Sequence, residues 1–474
     1  MNVIFCSSEV VPFAKTGGLA DVCGALPLAL EKIGVNVSIF LPHYPCVEKV
    51  GYTVKAIDKN VLMTTIGTNV KVYFVENKHF FDRDEIYGGA DGDYKDNLER
   101  FQFFCMQILV LLKEWNEPID ILHCHDWQTA LIPVYLKEKY DDDSFYADTK
   151  SILTIHNLAY QGVFPAKIYD KLGLDPKLFN HKVFEFFDKV NLLKAGIVYS
   201  DEVTTVSPQY SKEIQTKEFG CGLEGVLHAR EETVAGILNG LDYDVWNPQT
   251  DEFIIKNYNG NNFCEGKEIN KKAVQEELGL PIQKNVPLFG FIARLTHQKG
   301  IDLVLESIDV LAQLDVQIII QGIGDEKYYS LVSELALRYP KKVAVCLEFN
   351  DHIAHQVYAG CDLFLMPSLF EPCGLSQMIS LQYGTVPIVF KTGGLADTIQ
   401  PFDSITGEGN GFVFEEYTQK SFIQVIKGAM DVFGEKEVFT QIIHNAFASN
   451  FCWEKAAEEY KKNYQCMLSA SQGV

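Results

Sequence analysis

The chain has 474 residues, 47% hydrophobic and 22% charged, which is enough to bury more than one core; large α/β domains make two the expected number. Its 41 basic and 63 acidic residues leave a formal net charge of −22, which excludes a broad phosphate-neutralising surface for nucleic acid and makes a neutral polymer the better macromolecular partner. No run of roughly 18 apolar residues is present to span a membrane, and twelve cysteines without a CxxC pair fit a reducing compartment and a cytoplasmic location.

Short apolar runs alternate with helix-length amphipathic segments, the pattern of parallel sheets covered by helices. The amino terminus, MNVIFCSSEVVPF, lacks a basic region and a long apolar core, so it reads as a first strand and not as a signal peptide. Residues 3–6, 35–42, 119–123, 151–155 and 202–206 are the expected buried strands of a first domain.

KTGGLAD at 15–21 follows the first of these strands. Gly17 and Gly18 let a ligand approach the backbone, the helix expected at 19–30 offers unpaired N–H groups to an anion, and Lys15 adds a full charge. An ordinary strand-to-helix turn explains the glycines equally well. The segment is neither GxGxxG nor a Walker sequence, so dinucleotide and P-loop chemistry have no support.

Further along, Asp91 and Asp93 in DGDYKDN have the look of a DxD metal pair but read as an exposed acidic turn. In HCHDW, strand alternation puts His123 and His125 on one face; no third cluster has ligand spacing, so no metal is expected, and Asp126 beside Trp127 suits a sugar site better. TIHNLAYQG ends a strand on His156 and Asn157, where a core histidine is the other explanation. Periodicity then disappears around NYNGNN, which marks a hinge or linker at 241–266.

A second strand series is expected at 287–293, 316–321, 342–347, 362–366 and 387–390. In ARLTHQKG, Arg294 and Lys299 stand at the rim of that sheet, where a guanidinium and an ammonium can share a diphosphate or simply form surface ion pairs. In PSLFEPCGLSQ, Glu371 precedes a helix start at 373–376; such an acid can hydrogen-bond sugar hydroxyls or cap the helix. KTGGLAD then recurs unchanged at 391–397, which suggests two related wound sheets with a cleft between the carboxyl ends of their strands.

KTGGLADV, DYKDNLERF, HCHDWQ, TIHNLAYQG, TTVSPQY, FGCGLEG, ILNGLDYDVWNP, ARLTHQKG, PSLFEPCGL, YGTVPIV and TGGLADT stand in the order and approximate spacing of bacterial glycogen synthases and plant starch synthases. The chain resembles that family over almost its whole length. The resemblance implies an α/β GT-B fold, two Rossmann-like domains facing each other across an interdomain cleft. On that resemblance residues 1–240 would form the acceptor side, 241–266 the hinge, 267–450 the nucleotide-sugar domain, and 451–474 a segment crossing back to the first domain.

The same resemblance implies retaining transfer of glucose from ADP-glucose to the non-reducing end of an α-1,4-glucan, by front-face attack and without metal or pyridoxal phosphate. Lys15, Gly17 and Gly18 would meet the donor's phosphates or glucose, Asp21 its ribose, and Phe349 its adenine. Arg294 and Lys299 would neutralise the diphosphate, with the backbone of Leu375 and Ser376 completing the cradle. Glu371, Cys373 and Gly374 would hold glucose hydroxyls, and Asp126, His156 and Asn239 would line the sugar from the other wall. Thr392 and Gly393 would form a second rim of the same cleft, and Glu9 and Tyr94 would contact the acceptor.

Leu369, Ile379, Ser380 and Phe390 depart from the family pattern around the Glu371 helix, with consequences for donor affinity and nucleotide choice. A catalytically inactive glucan-binding scaffold, a phosphorylase carrying a lysine-bound pyridoxal cofactor, and a GT-B enzyme using UDP-glucose are the alternatives.

Overall fold

Runs such as NVIFC, NVSIFLP and QIIIQ are apolar on both faces, so each needs cover above and below, and a parallel sheet between helix layers supplies it. A computed structural model describes residues 1–89, 92–348 and 350–470. The chain forms two compact units: Met1–Gly240 together with the helix that begins at Trp453, and Leu241–Cys452.

The first unit is built on strands β1 (Asn2–Cys6), β2 (Asn36–Pro42), β3 (Lys55–Asp58), β4 (Val61–Ile66), β5 (Val70–Val75), β6 (Ile121–His125), β7 (Lys150–Ile155), β8 (Glu202–Thr205) and β9 (Val234–Gly236). They lie in the order β9-β8-β7-β6-β1-β2-β5-β4-β3. From β9 to β5 all neighbours are parallel, while β4 and β3 add an antiparallel edge. The chain winds outward from β1 in both directions, which makes the carboxyl end of β1 a topological switch point.

Helix Gly18–Lys32 buries Val22, Leu26 and Leu30 at helical spacing. Helix Trp453–Ala470 packs against it, burying Ala457, Tyr460 and Tyr464, and Lys461 Nζ donates to the Ile33 carbonyl at 2.7 Å. None of the described helices is long and apolar enough to cross a membrane.

The second unit holds β10 (Leu288–Ile292), β11 (Gln317–Gln321), β12 (Val343–Cys346), β13 (Leu363–Met366), β14 (Val386–Phe390) and β15 (Phe412–Phe414), in the order β12-β11-β10-β13-β14-β15 and parallel throughout. Its switch point is the carboxyl end of β10, between β11 and β13.

Every strand expected from the sequence is present, most shifted by no more than one residue. The largest shift is in β6, expected at 119–123, which runs on to His125 and leaves Asp126 as the first residue beyond the strand.

The linker expected at 241–266 is instead a folded part of the second unit. Buried Asp251 accepts from His355 Nδ1 at 2.8 Å and from the Tyr383 hydroxyl at 2.5 Å, and Trp246 stacks on the His355 ring at 4.1 Å. Tyr258 donates its hydroxyl to the Tyr383 carbonyl at 2.8 Å, and the helix Phe263–Glu277 starts inside the stretch. The Asn-rich composition reflects side chains that close turns: Asn247 Oδ1 accepts from the Gln249 amide, Asn262 Oδ1 from the Asn259 amide, and Asn257 reaches two carbonyls.

Candidate active site

In the second unit, a cavity of about 280 Å³ opens at the switch point, lined by the carboxyl ends of β10, β11 and β13 and by Arg294, Lys299, Ser368 and Ser376. Gly300 follows Lys299 in the left-handed region, φ 76°, and a Cβ there would lie 1.9 Å from the Pro367 carbonyl oxygen. That close approach seats Lys299 beside the loop after β13.

Lys299 Nζ donates to both oxygens of Glu371, at 2.9 and 2.7 Å, and Ser368 Oγ donates to the second oxygen at 3.0 Å. The side chains are 19% and 6% exposed, so the pair is shielded enough for charge-assisted hydrogen bonds to hold it in one geometry. Arg294, by contrast, is exposed and carries no ion-pair partner among the described residues.

The loop that carries Glu371 leans on the second KTGGLAD copy. Gly394 N–H donates to the Glu371 carbonyl at 3.0 Å, and a Cβ on Gly393 or Gly394 would lie 2.0 Å from the carbonyl oxygen of Glu371 or Cys373 respectively. Thr392 is buried at the start of this short helix, Gly393–Thr398. Beyond Glu371, Cys373 is buried, Gly374 is left-handed at φ 77°, and Gln377 Nε2 donates to the carbonyls of both at 3.0 Å. Leu375 then caps the helix Ser376–Gln382.

The first copy differs. A Cβ on Gly17 or Gly18 would meet nothing within 4 Å, so packing does not require glycine at either position. Lys15 pairs with Asp21 at 2.7 Å. Glu9 is buried, and its carboxylate accepts from Thr16 N–H, from Thr16 Oγ1 at 2.8 Å, from Gly17 N–H at 3.1 Å and from the Tyr87 hydroxyl at 2.6 Å. Expected at the acceptor, it braces the glycine loop from within. Tyr94 is half-buried between the guanidinium groups of Arg83 and Arg100, 4.6 and 5.0 Å from its ring centre.

At the end of β6, Asp126 sits at φ 55° and its Oδ1 accepts from the His156 amide at 2.7 Å. Burial pushes its carboxyl up to about 7, against the opposing pull of the His156 and Asn157 amides. Burial pulls His156 down to about 3, so its ring is neutral. His125 Nδ1 lies 3.0 Å from His156 Nε2, and the His123 ring stacks on His125 at 4.2 Å. His123 in turn contacts the Tyr464 hydroxyl at 2.8 Å and Thr154 Oγ1 at 2.6 Å. Burial holds both of these histidines well below their ordinary value. Asn239 Oδ1 is buried without a hydrogen-bond partner among the described residues.

The structure thus joins Lys299 to Glu371, Asp126 to His156, Lys15 to Asp21 and Glu9 to Gly17. Phe349 and Asp91 lie outside the described residues. Among the described residues no group of three or more His, Cys, Asp or Glu side chains could hold a metal ion. Sequence reasoning missed Tyr87, Ser368 and Gln377. Only Ser368 had a local signal, a hydroxyl three residues before Glu371.

Residues 2–229 match the family described as Starch synthase catalytic domain, and residues 275–439 match Glycosyl transferases group 1. The chain is 46% identical to a glycogen synthase of Geotalea daltonii, over 99% of each protein, and 42% identical to one of Bacillus cereus, over 99% of this chain and 100% of the relative. Among solved structures, the catalytic domain of starch synthase IV from Arabidopsis thaliana, bound to ADP and acarbose, superposes with a TM-score of 0.87 at 32% identity over 99% of each chain. A sucrose-phosphate synthase of Thermosynechococcus elongatus shares the fold, with a TM-score of 0.62 at 16% identity over 99% of each chain.

Proposed function

The chain belongs to the family of glycogen and starch synthases, and from that premise we infer that it transfers glucose from ADP-glucose to the non-reducing end of an α-1,4-glucan, with retention at the anomeric carbon, on a GT-B fold. The observation that carries the reading is the shielded Lys299–Glu371 pair beside the unpaired guanidinium of Arg294, at the switch point of the second sheet.

Breaking the glycosidic C–O bond puts positive character on the anomeric carbon and negative charge on the departing ADP. Cations fixed at the diphosphate stabilise that charge as it forms, and Arg294 and Lys299 are read in this role. A phosphate oxygen arriving at Lys299 Nζ replaces one of its two carboxylate contacts, which frees an oxygen of Glu371 to accept from a glucose hydroxyl. Cys373, Gly374, Leu375 and Ser376 supply the turn against which donor glucose and phosphate rest, and Thr392 and Gly393 back it.

Lys15, Gly17 and Gly18 are assigned to the donor because the glycines leave open room, with Asp21 holding Lys15 in place. Asn239 offers its unpartnered oxygen to the sugar. Asp126 fixes the main chain of His156, whose carbonyl faces the developing oxocarbenium in this reading, and the leaving phosphate takes the acceptor proton. Phe349 is assigned to the adenine, Tyr94 to the glucan, and Glu9 to holding the Gly17 loop in shape for both.

So read, the reaction asks for no metal or pyridoxal cofactor. A cytoplasmic site of action belongs to the same reading, in keeping with free thiols at all twelve cysteines.

Incubation with maltoheptaose and equal concentrations of ADP-glucose or UDP-glucose, followed by chain-length analysis, tests the inference. ADP-glucose is expected to extend the chain by α-1,4 units. Preference for UDP-glucose overturns the donor assignment, and no extension with either overturns the transferase.

A further inference from the structure

The hairpin made by Glu185–Phe186 and Lys189–Asn191 reverses through two residues, Phe187 and Asp188, because Phe186 pairs directly with Lys189. Both turn residues have positive φ, 50° and 59°. Two-residue turns with both φ values positive are the place for Asn-Gly or Asp-Gly, and a bulky ring there is a steric outlier. The strain is not offset by burial, since Phe187 is 77% exposed.

Nor is the ring on a loose loop. Buried Lys194 Nζ donates from below to the carbonyls of His181 and Glu185, each at 2.6 Å, and Asp188 N–H donates to Glu185 Oε1 at 2.9 Å. The Phe186 ring meets Phe187 edge-on at 4.7 Å, and Gly222 lies so close beneath that a Cβ there would be 2.9 Å from the Phe186 ring. The turn is also continuous with the segment that carries His156. Lys189–Asn191 pairs with Val163–Pro165, Asn191 Nδ2 donates to Gln161 Oε1 at 2.6 Å, and Gln161 Nε2 donates to the Cys221 carbonyl at 3.1 Å. On that segment Tyr160 is 52% exposed.

We propose that this rigid shelf, led by Phe187, holds a stretch of the α-glucan acceptor away from the reacting end; the proposal rests on the function inferred above. The apolar face is that of a single exposed ring, too small for a protein contact, and its border, Glu185, Asp188 and Lys189, is charged and partly or fully exposed, which suits a sugar ring with an apolar face and a hydroxyl edge. The net charge of −22 disfavours a polyanion in the same place.

The test replaces the turn by its favoured sequence, Phe187→Asn with Asp188→Gly, which relieves the backbone and removes the ring. Native electrophoresis through glycogen-containing gels reads polymer binding, maltotriose elongation from ADP-glucose reads the reaction, and a melting curve reads the fold. The variant is expected to bind glycogen about five- to tenfold more weakly, the size of one lost aromatic contact. It should melt no lower than the parent and elongate maltotriose at the parent rate.

Unchanged glycogen binding in the variant, or no retardation of the parent, overturns the shelf. So does a variant that loses glycogen binding, maltotriose elongation and thermal stability together, because the ring would then be structural. Retardation lost in the variant while neither protein elongates maltotriose upholds the shelf as a glucan site and overturns the transfer reading instead.

Discussion

Gly394→Ala places a methyl carbon 2.0 Å from the Cys373 carbonyl oxygen and 2.5 Å from its Cα, a collision with backbone that only a shift of the Glu371 loop can relieve. Overpacking of this kind costs about 1–3 kcal/mol, and the hydrogen bond from Gly394 N–H to the Glu371 carbonyl is worth about 1 kcal/mol more. At about 2–4 °C per kcal/mol for a unit of this size, the melting midpoint of the second unit should fall by roughly 5–15 °C. Gly18→Ala is the counterpart in the first copy. Its Cβ meets nothing within 4 Å, and as the first residue of helix Gly18–Lys32 it gains up to about 1 kcal/mol of helix propensity. That variant should melt at or slightly above the wild type and still lose about tenfold or more in ADP release with glycogen, because the methyl group fills the space assigned to the donor. Calorimetry beside ADP release reads both effects. Equal loss of stability in the two variants, or full activity in Gly18→Ala, would refute the division of labour between the copies.

Arg294→Ala should leave stability within about 0.5 kcal/mol, since the side chain is exposed and unpaired, while kcat/KM falls about 10²- to 10³-fold; urea titration and initial rates check the two halves. Glu371→Ala strands the shielded Lys299 ammonium and should destabilise by about 2 kcal/mol, below the range for a fully buried pair because Lys299 keeps some solvent contact. The double variant with Lys299→Ala should recover part of that loss, which a double-mutant cycle in urea measures.

Acid should destabilise the first unit. His156, held at about 3 against an ordinary 6.5, refuses a proton that the unfolded chain takes up, so its contribution is complete above pH 6.5 and fades as pH falls. His123 and His125 act in the same direction. Asp126, raised to about 7, acts in the opposite direction, its contribution fading as pH rises from about 4 to 7. Three histidines against one carboxyl leave a net uptake of protons on unfolding in mild acid, so stability should fall from pH 7.5 to pH 5, and His125→Gln should make that fall shallower. Urea midpoints at pH 7.5 and 5 measure it; a fall unchanged by His125→Gln would show that these rings do not govern acid sensitivity.

The parallel strands that the sequence predicts were legible because burial on both faces forces continuous apolar runs, and NVIFC or QIIIQ admit little else, whereas β5, VKVYFV, is interrupted by Lys71 and was not among them. β6 ended later than expected because His125 looks polar in sequence, whereas Tyr464, Thr154 and His156 satisfy three of the four ring nitrogens of His123 and His125 inside the fold. The edge strands β3, β9 and β15 are short, and β3 is fully exposed, so none carries a period to read. The 241–266 stretch was misread because Asn and Gly mark turns whether or not those turns are packed.

At the site, residue types at strand ends pointed to Lys299 and Glu371 separately, but their pairing spans 72 residues and no local pattern carries it. Glu9, placed at the acceptor by the resemblance, also bonds Tyr87 inside the fold, a partner 78 residues away that nothing nearby in sequence announces.

ADP release from ADP-glucose in the presence of glycogen, by the intact protein beside Lys299→Ala, tests the central claim most directly. The intact protein should release ADP in step with growth of the glucan, and Lys299→Ala should fall about a hundredfold or more. Release by the intact protein no greater than that of Lys299→Ala would contradict the account.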